Sequence, residues 1–506
     1  MDAPKESCGL FAYYGFEVNK NAENIVLAGL RAQQHRGQEN VGINSYNPDN
    51  DWIYEPRKAV GLVRDFEKEF SFDDWDSSIS LGHVRYSTTG GKKNIVNAQP
   101  FIFYSDRLGC FTMAHNGQLT NVKDLKRRIQ EHVPFQSTSD TELIAHLMTL
   151  SEKTSLEGAL IDALNQVDGS YSLIVMGKGE LIAARDPMGN KPFSLAKFNL
   201  NGEFAGYAIA SETCAFKYLK DRSILDVSFE RDIYPGEVLV MSGRDVGSYF
   251  PFPERKTAHC IFELIYFSSP GSESFGVPVG KFRMELGKIL SLQDKFKYGS
   301  ILDNAGVIAV PDSGNLAAAG YANESKLPLK PLLIKRHYGD VFRTFIEPDP
   351  NLRFIKQREK FETLENLFEE GEEGIIVDDS IVRSNTSKNV VKIAKEHVDK
   401  LHFRVASPPI KFPCPLGIDF ATYSELGINK QGSIENLKEH IGAETLEYLP
   451  LDRPDWAGDD VDVASLKELV AKFLPGENFC FACFDGKYPC SVDNLKKKYF
   501  GDDTND

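Results

Sequence analysis

The chain has 506 residues and a net charge of −15 at pH 7, with 42% hydrophobic and 26% charged residues. This length predicts about two to four domains, and the composition is that of a globular protein. The negative charge argues against nucleic-acid binding. The sequence has neither a signal-peptide pattern nor an apolar run of about 18 residues or more. We therefore expect a cytoplasmic protein without a membrane partner.

The N-terminal half alternates short apolar runs with Gly and Asn turns. Two such runs, 171–176 and 181–184, flank Gly177-Lys-Gly-Glu and predict a hairpin. Helical patterns interrupt the strands near 24–34 and 140–151. We therefore expect antiparallel sheets packed with helices.

The second half has a different pattern. A stretch rich in Gly, Pro and charged residues, 243–257, is typical of a crossing between domains. Beyond it, 305–310 and 374–377 are apolar runs followed by helical patterns. They predict an α/β unit with a parallel sheet.

Cys8 opens the first apolar run and is a candidate nucleophile. A cysteine at the amino terminus carries its own base, because a free α-amine titrates near about 7.7–8.0. Cys8 can act in this way only if residues 1–7 are removed. The alternative is that Cys8 is not a nucleophile and is simply a small hydrophobic residue that is buried.

Four further segments follow Cys8-Gly-Leu-Phe in a fixed order: 34–39, 82–88, 115–117 and 139–142. Together they resemble the class II glutamine amidotransferases. The resemblance implies an α+β N-terminal-nucleophile domain with αββα layers, and it implies glutamine-binding roles for Arg36, Arg85, Thr88 and Asp140.

Within that resemblance, Arg85 would pair with the glutamine α-carboxylate and Asp140 with its α-ammonium group. The Asn116 side chain and the Gly117 N–H would donate to the tetrahedral oxyanion. For Arg36, bracing of the terminus remains open beside substrate contact. The histidines at 35, 83 and 115 are either core residues or partners in a Cys–His dyad.

The segment 374–387 ends a buried strand in two carboxylates and leads into a helix. Ligands of parallel sheets lie at the carboxyl ends of the strands, and helix N-termini receive phosphate. Asp378 and Asp379 can contact ribose hydroxyls and hold Mg²⁺. The alternative is a pair of exposed aspartates that cap a turn.

This segment resembles the phosphoribosyl pyrophosphate motif of type I phosphoribosyltransferases, and the whole chain resembles the amidophosphoribosyltransferase family. The resemblance implies a transferase domain with a central parallel sheet and a loop, 335–346, that closes over the sugar. The residues that would bind phosphoribosyl pyrophosphate are Lys335, Tyr338, Arg343, Asp378, Asp379, Arg383, Thr386 and Ser387.

The chain departs from the family pattern at three places. Ser384-Asn385-Thr386 stands where Gly-Thr-Thr is usual, Gly314 replaces a Ser of several relatives, and the loop is about two residues longer than usual. The alternative function is therefore a glutaminase with an altered or lost transferase activity, serving another acceptor or acting as a nucleotide or oxygen sensor.

Cys480 and Cys483 form a Cys-x-x-Cys pair. The family resemblance adds Cys260 and Cys414 and implies a [4Fe–4S] cluster, with zinc as the alternative for four thiolates. Cys490 is a spare thiol nearby. The same branch of the family carries a cleaved propeptide.

These interpretations divide the chain into a propeptide, 1–7, an amidotransferase domain, 8–243, a transferase domain, 258–442, and a C-terminal extension, 443–506. The expected small-molecule ligands are glutamine and phosphoribosyl pyrophosphate. From the resemblance we also expect purine-nucleotide inhibitors and a homotetramer.

Overall fold

A computed structural model of the chain describes residues 8–86, 95–299, 304–336, 361–418, 420, 422–456 and 463–500. None of the helices in these ranges is long and apolar enough to cross a membrane.

The N-terminal unit contains two antiparallel sheets. In the described residues the first has the strand order β12-β10-β11-β1-β5-β2-β3, with β4 beside β2, and the second has the order β14-β13-β9-β8-β7-β6. The strands of the first sheet are β1 Gly9–Asn19, β2 Asn40–Asn47, β3 Trp52–Ile53, β4 Arg57–Val60, β5 Ser77–Arg85, β10 Ser194–Leu200, β11 Glu203–Ala210 and β12 Asp226–Asp232. Those of the second are β6 Phe101–Ser105, β7 Gly109–Leu119, β8 Gly169–Met176, β9 Glu180–Arg185, β13 Val238–Ser242 and β14 Asp245–Tyr249.

The two sheets pack face to face, and helices cover their outer faces. Leu10 and Leu81 of the first sheet share one apolar core with Ile174 and Leu181 of the second. The helices of this unit are α1 Ala22–Ala32, α2 Val63–Glu69, α3 Val122–Ile129, α4 Asp140–Leu150, α5 Leu156–Leu164 and α6 Cys214–Asp221. α1 and α6 pack on the first sheet, and α4 and α5 pack on the second. This arrangement confirms the expected αββα layers.

The hairpin and the two helices predicted for this unit are present, whereas β14 was not expected. The hairpin around 177–180 forms as expected, with Met176 opposite Leu181. The stretch 243–257, expected to link domains, instead begins with β14, which pairs with β13 from Val238↔Tyr249 to Ser242↔Asp245. Polar and Gly residues suit this strand because β14 is the edge of its sheet.

The second unit contains a parallel sheet with the strand order β18-β21-β22-β23. Its strands are β18 Ala305–Ala309, β21 Glu373–Asp378, β22 Leu401–Val405 and β23 Thr445–Tyr448. Val307 and Val377 pack with the helices on one face, and Ile308 and Ile376 pack with those on the other. This burial of both faces explains the continuous apolar runs, and it confirms the expected α/β transferase fold. β23 extends the sheet beyond residue 442.

The other elements surround this sheet or join the two units. The helices are α7 Val279–Tyr298, α8 Asn315–Ser325, α9 Asn385–Ala394, α10 Gly427–Gln431, α11 Ile434–Ile441, α12 Leu466–Phe473, α13 Ala482–Asp485 and α14 Lys496–Phe500. The short strands are β15 His259–Cys260, β16 Glu273–Ser274, β17 Val277–Pro278, β19 Leu333–Lys335, β20 Phe361–Thr363 and β24 Phe479–Cys480. A π-helical turn, Glu263–Phe267, follows β15.

Candidate functional site

Cys8 lies at the start of β1, half-buried beside the end of β5. Its thiol donates to the Tyr86 carbonyl oxygen at 3.9 Å. Gly9 pairs with Val84, so Cys8 and Arg85 lie at the same end of two neighbouring strands. The Arg85 side chain is buried there. The structure therefore brings the candidate nucleophile close to the expected carboxylate-binding arginine.

Arg36 holds the backbone of Cys8. Its Nε donates to the Cys8 carbonyl oxygen at 3.0 Å, and its two terminal nitrogens bind Glu212 and both carboxylate oxygens of Glu263. All three charged side chains are fully buried. Because the guanidinium is used in this way, the geometry favours the bracing role of Arg36 over contact with glutamine.

Asn116 and Gly117 lie on β7 of the second sheet. The Asn116 Nδ2 atom is buried and has no hydrogen-bond partner among the described residues. Gly117 has φ +150°, and a Cβ atom there would lie 2.1 Å from the Ser170 carbonyl oxygen, so only glycine fits. A buried donor without a partner costs free energy unless a ligand accepts its hydrogen bond. In the expected oxyanion hole, the oxyanion of the tetrahedral intermediate is that ligand.

Asp140 begins α4, where Ser139 caps the helix and accepts from the Thr141 N–H. Its carboxylate accepts from the Leu119 N–H at 3.0 Å and lies 3.4 Å from His115 Nδ1. Burial would raise the pKa of Asp140, but His115 and the Leu119 amide outweigh it and lower this pKa. Asp140 is therefore a carboxylate tied to the end of β7.

Two of the three candidate histidines face carboxylates, and the third, His83, is buried. His35 Nε2 lies 2.8 Å from Glu212, and His115 Nδ1 faces Asp140. Burial, with the nearby Arg85 charge, lowers the pKa of His83 to about 3. These environments favour structural histidines over a Cys–His dyad. Thr88 lies outside the described residues.

The second candidate site lies at the carboxyl end of the parallel sheet, as expected. Asp378 ends β21, and Asp378 and Asp379 are each 5% exposed, so they are not exposed turn caps. Ser313 Oγ lies 3.4 Å from Asp378 Oδ1. Burial, and then the charge of Asp379, raises the pKa of Asp378 well above its usual range. Two adjacent buried carboxylates favour a cation or sugar hydroxyls as their ligand.

The phosphate-binding turn follows these aspartates. Ser384 has φ +67°, a left-handed conformation, and it precedes α9. Ser387 is buried in the first turn of this helix, and Thr386 lies beside it. Arg383 lies 3.9 Å from Glu425. The helix N-terminus expected to receive phosphate is therefore present, with a serine where glycine would be unstrained.

Gly314 is required by its surroundings, because a Cβ atom there would lie 2.4 Å from the Val377 carbonyl oxygen. Lys335 Nζ lies 2.6 Å from Asp312 in the neighbouring loop. Tyr338 and Arg343 lie outside the described residues.

The turn Glu263–Phe267 lies between the two sites. Glu263 contacts Arg36 at the first site. Burial raises the pKa of Tyr266, and the Asp379 and Asp378 charges at the second site raise it further. Sequence reasoning missed Glu212 and Glu263. A carboxylate within the apolar run 260–267 was the available signal for Glu263.

Strand pairing and backbone hydrogen bonds bring segments that carry the four expected cluster cysteines together. β15 and β24 pair in parallel, which sets Cys260 opposite Cys480. The Cys483 carbonyl oxygen accepts from the Lys411 and Phe412 N–H groups, just before Cys414. Burial raises the pKa of Cys480, and the Cys260 and Cys414 charges raise it further. All four are free of disulfides. In the described ranges no three Cys, His, Asp or Glu side chains form a group that could hold a metal ion.

Comparison with known proteins shows the family of the chain. Residues 83–218 match the model of a glutamine amidotransferase domain. The chain is 36% identical to a chloroplastic amidophosphoribosyltransferase of Arabidopsis thaliana, over 99% of this chain and 82% of that protein. It is 34% identical to the Bacillus subtilis amidophosphoribosyltransferase, over 96% of this chain and 95% of that protein.

A solved structure shows the same similarity in three dimensions. It is the glutamine phosphoribosylpyrophosphate amidotransferase of B. subtilis complexed with ADP and GMP, with a TM-score of 0.81 and 32% identity over 96% of this chain and 98% of that one. The chain belongs to the amidophosphoribosyltransferase family.

Proposed function

We propose that this chain hydrolyses glutamine at Cys8 and uses the ammonia to displace pyrophosphate from phosphoribosyl pyrophosphate, giving 5-phosphoribosylamine. This is the first step of de novo purine synthesis. The observation that carries the proposal is that one chain holds an unpaired buried amide at Asn116, in the same unit as Cys8, and a buried carboxylate pair at Asp378 and Asp379. Similarity over nearly the whole chain disfavours a glutaminase that has lost its transferase half.

In the first half-reaction the Cys8 sulfur attacks the carboxamide carbon of glutamine. After removal of residues 1–7, the α-amine of Cys8 takes the thiol proton and returns it to the leaving ammonia. Asn116 Nδ2 and the Gly117 N–H donate to the oxyanion of the tetrahedral intermediate. Water then hydrolyses the thioester and releases glutamate.

Arg85 and Asp140 orient glutamine for this attack, with Thr88 as a further expected contact. The Arg85 guanidinium pairs with the α-carboxylate, and the Asp140 carboxylate binds the α-ammonium group. The lowered pKa of Asp140 supports this role because it keeps the carboxylate charged. Arg36 positions the Cys8 backbone through its hydrogen bond to the Cys8 carbonyl oxygen.

In the second half-reaction Asp378 and Asp379 bind the ribose hydroxyls and hold Mg²⁺, which when bound neutralises charge on the pyrophosphate leaving group. Thr386, Ser387 and the N-terminus of α9 receive the 5′-phosphate, with Arg383 beside them. Lys335 faces this site from β19, and Tyr338 and Arg343 complete the expected set.

Ammonia travels between the sites along the turn Glu263–Phe267. The supporting geometry is that Glu263 contacts the Cys8 side through Arg36 and that Tyr266 lies near both aspartates. An enclosed path matters because ammonia released to solvent is protonated and cannot attack.

Cys260, Cys414, Cys480 and Cys483 hold a [4Fe–4S] cluster that ties the C-terminal segment to the domain boundary. Four thiols without disulfides, two of them buried and two half-buried, suit either an iron–sulfur cluster or zinc. The family resemblance favours the cluster over zinc.

Purine nucleotides are proposed inhibitors because the similar B. subtilis structure contains ADP and GMP. A homotetramer and a cytoplasmic location remain predictions. The relatives compared include both a chloroplastic and a bacterial protein.

The test uses anaerobically purified protein and measures glutamate and pyrophosphate release with both substrates. We expect coupled release, loss of both with glutamine in Cys8→Ala, and retention of both in the control Cys110→Ala. Glutamate release without pyrophosphate release would contradict the transferase half. Glutamine-dependent turnover by Cys8→Ala would contradict the nucleophile assignment.

A further inference from the structure

Lys191 is a buried lysine between the amidotransferase sheets and the cluster cysteines. The residue is 1% exposed and lies between β9 and β10. Arg185 Nε donates to its carbonyl oxygen at 2.9 Å. The neighbouring Asn190 carbonyl oxygen accepts from the Cys260 N–H at 3.0 Å. These two hydrogen bonds hold the backbone around Lys191 next to Cys260.

Its ammonium group has no partner among the described residues. Lys191 Nζ is buried and makes no hydrogen bond there, and no carboxylate in those residues forms an ion pair with it. Leaving an ammonium buried without a partner is costly. The position therefore favours a negatively charged group close to the Lys191 ammonium.

The surroundings of Lys191 indicate where that group lies. Burial would lower the pKa of Lys191, but the neighbouring Cys260, Glu263 and Cys414 outweigh it and raise this pKa. Both carboxylate oxygens of Glu263 already accept from Arg36. A Cβ atom on Gly417, three residues after Cys414, would lie 3.6 Å from Lys191 Cε. The sulfurs of Cys260 and Cys414 are therefore the remaining groups with which the Lys191 ammonium can pair.

We propose that Lys191 is a positioning residue for the iron–sulfur cluster, whose ammonium donates hydrogen bonds to the side held by Cys260 and Cys414 and offsets part of its negative charge. The inference rests on the proposed function, because it requires the four-cysteine cluster. Hydrogen bonds to cluster sulfurs and nearby positive charge both raise a reduction potential. Lys191 thus stabilises the loaded cluster and makes it easier to reduce.

The experiment compares anaerobically purified wild type, Lys191→Met and Lys191→Arg. Methionine keeps an unbranched chain of similar length without the charge. The matched control is Lys330→Met, because Lys330 already binds Glu372 and the Leu367 carbonyl oxygen. Iron and sulfide per chain, the rate of cluster loss in air and the reduction potential by film voltammetry are measured for each.

We expect Lys191→Met to lose its cluster in air on the order of tenfold faster than wild type. Its reduction potential should shift to a more negative value. Lys191→Arg should restore most of both properties, and Lys330→Met should match wild type. A purely structural role for Lys191 would not move the potential of the loaded fraction.

Two results are distinguishable as failures. A wild type without stoichiometric iron and sulfide would overturn the proposed cluster itself. A loaded Lys191→Met protein with wild-type potential and wild-type stability in air would overturn the role of Lys191 alone.

Discussion

Arg36 donates a hydrogen bond to the carbonyl oxygen of Cys8 at 3.0 Å. The same guanidinium binds Glu263, a residue that follows the domain boundary. The backbone of the candidate nucleophile is therefore held by an ion pair that crosses between the two units, and its geometry depends on their docking.

Removing Arg36 should unfold this arrangement. Arg36→Met removes the cation that pairs with the buried Glu212 and Glu263, and breaking such a pair costs about 3–5 kcal/mol. We expect a lower melting temperature and loss of glutamine hydrolysis, measured by calorimetry and glutamate release. Lys197→Met, which breaks an exposed pair with Glu230, is the control and should change little. An active, stable Arg36→Met protein would contradict the bracing role.

Asn116→Ala tests the oxyanion hole. Because the Asn116 amide is unpaired until the oxyanion forms, its loss should lower kcat for glutamine hydrolysis by about 10²–10³ with little change in KM. Steady-state kinetics with varied glutamine gives both constants. Asn165→Ala, at the exposed end of α5, should behave as wild type. An equal rise in KM would indicate ground-state binding instead.

Ser384→Gly should relieve the phosphate-binding turn. A left-handed conformation costs a non-glycine residue about 1–2 kcal/mol, partly offset by the greater freedom of glycine in the unfolded chain. We expect higher thermal stability and a lower KM for phosphoribosyl pyrophosphate. Ser384→Ala keeps the Cβ atom and should show neither gain. Identical behaviour of the two variants would show that strain is not the controlling factor.

Glu142 should make the stability of the amidotransferase unit fall in acid. Its carboxylate accepts from the Gln136 and Ser137 N–H groups. Burial would raise the pKa of Glu142, but His146 and these amides lower it to about 2. The folded-state pKa lies below the unfolded value of 4.5, so this stabilisation is complete above about pH 4.5 and is lost as the pH falls towards 2.

The measurement is the difference in melting temperature between wild type and Glu142→Gln at several pH values. We expect a constant difference above pH 4.5 that shrinks on acidification, since glutamine cannot accept in the same way. Glu152→Gln, an exposed carboxylate after α4, provides the comparison. A difference that is independent of pH would exclude the carboxylate as its source.

Cysteine replacement separates cluster ligands from the spare thiol. Cys260→Ser should lose iron and sulfide and lower the stability of the C-terminal segment, because β15 pairs with β24 there. Cys490→Ser should keep wild-type iron content although this thiol lies near Cys480. Iron analysis and limited proteolysis check both. Loss of iron in Cys490→Ser would make Cys490 a ligand.

Features that depend on local pattern could be predicted from the sequence. Asp378 follows an apolar run that forms a parallel strand, and the strand end fixes its position at the sheet edge. Cys8, Asn116 and Asp140 were found because short segments around them carry the family resemblance. Each of these residues can be assigned an expected role from a few neighbouring residues in the sequence.

Contacts between distant residues could not be predicted in this way. Arg36 and Glu263 are separated by 227 positions, and no periodic pattern joins them. Lys191 reads as an ordinary loop lysine until the fold buries it. The left-handed conformation of Ser384 is set by the tight turn into α9, which overrides the preference of a serine.

The pairing of β24 with β15 has a consequence for how the protein is made. Cys260 is synthesised about midway along the chain, whereas Cys480 and Cys483 emerge only near its end. The four-cysteine site therefore cannot be complete while most of the polypeptide is still being translated. Insertion of the proposed cluster would therefore follow synthesis of the amidotransferase unit, and a chain that stops before β24 would lack the strand that pairs with β15.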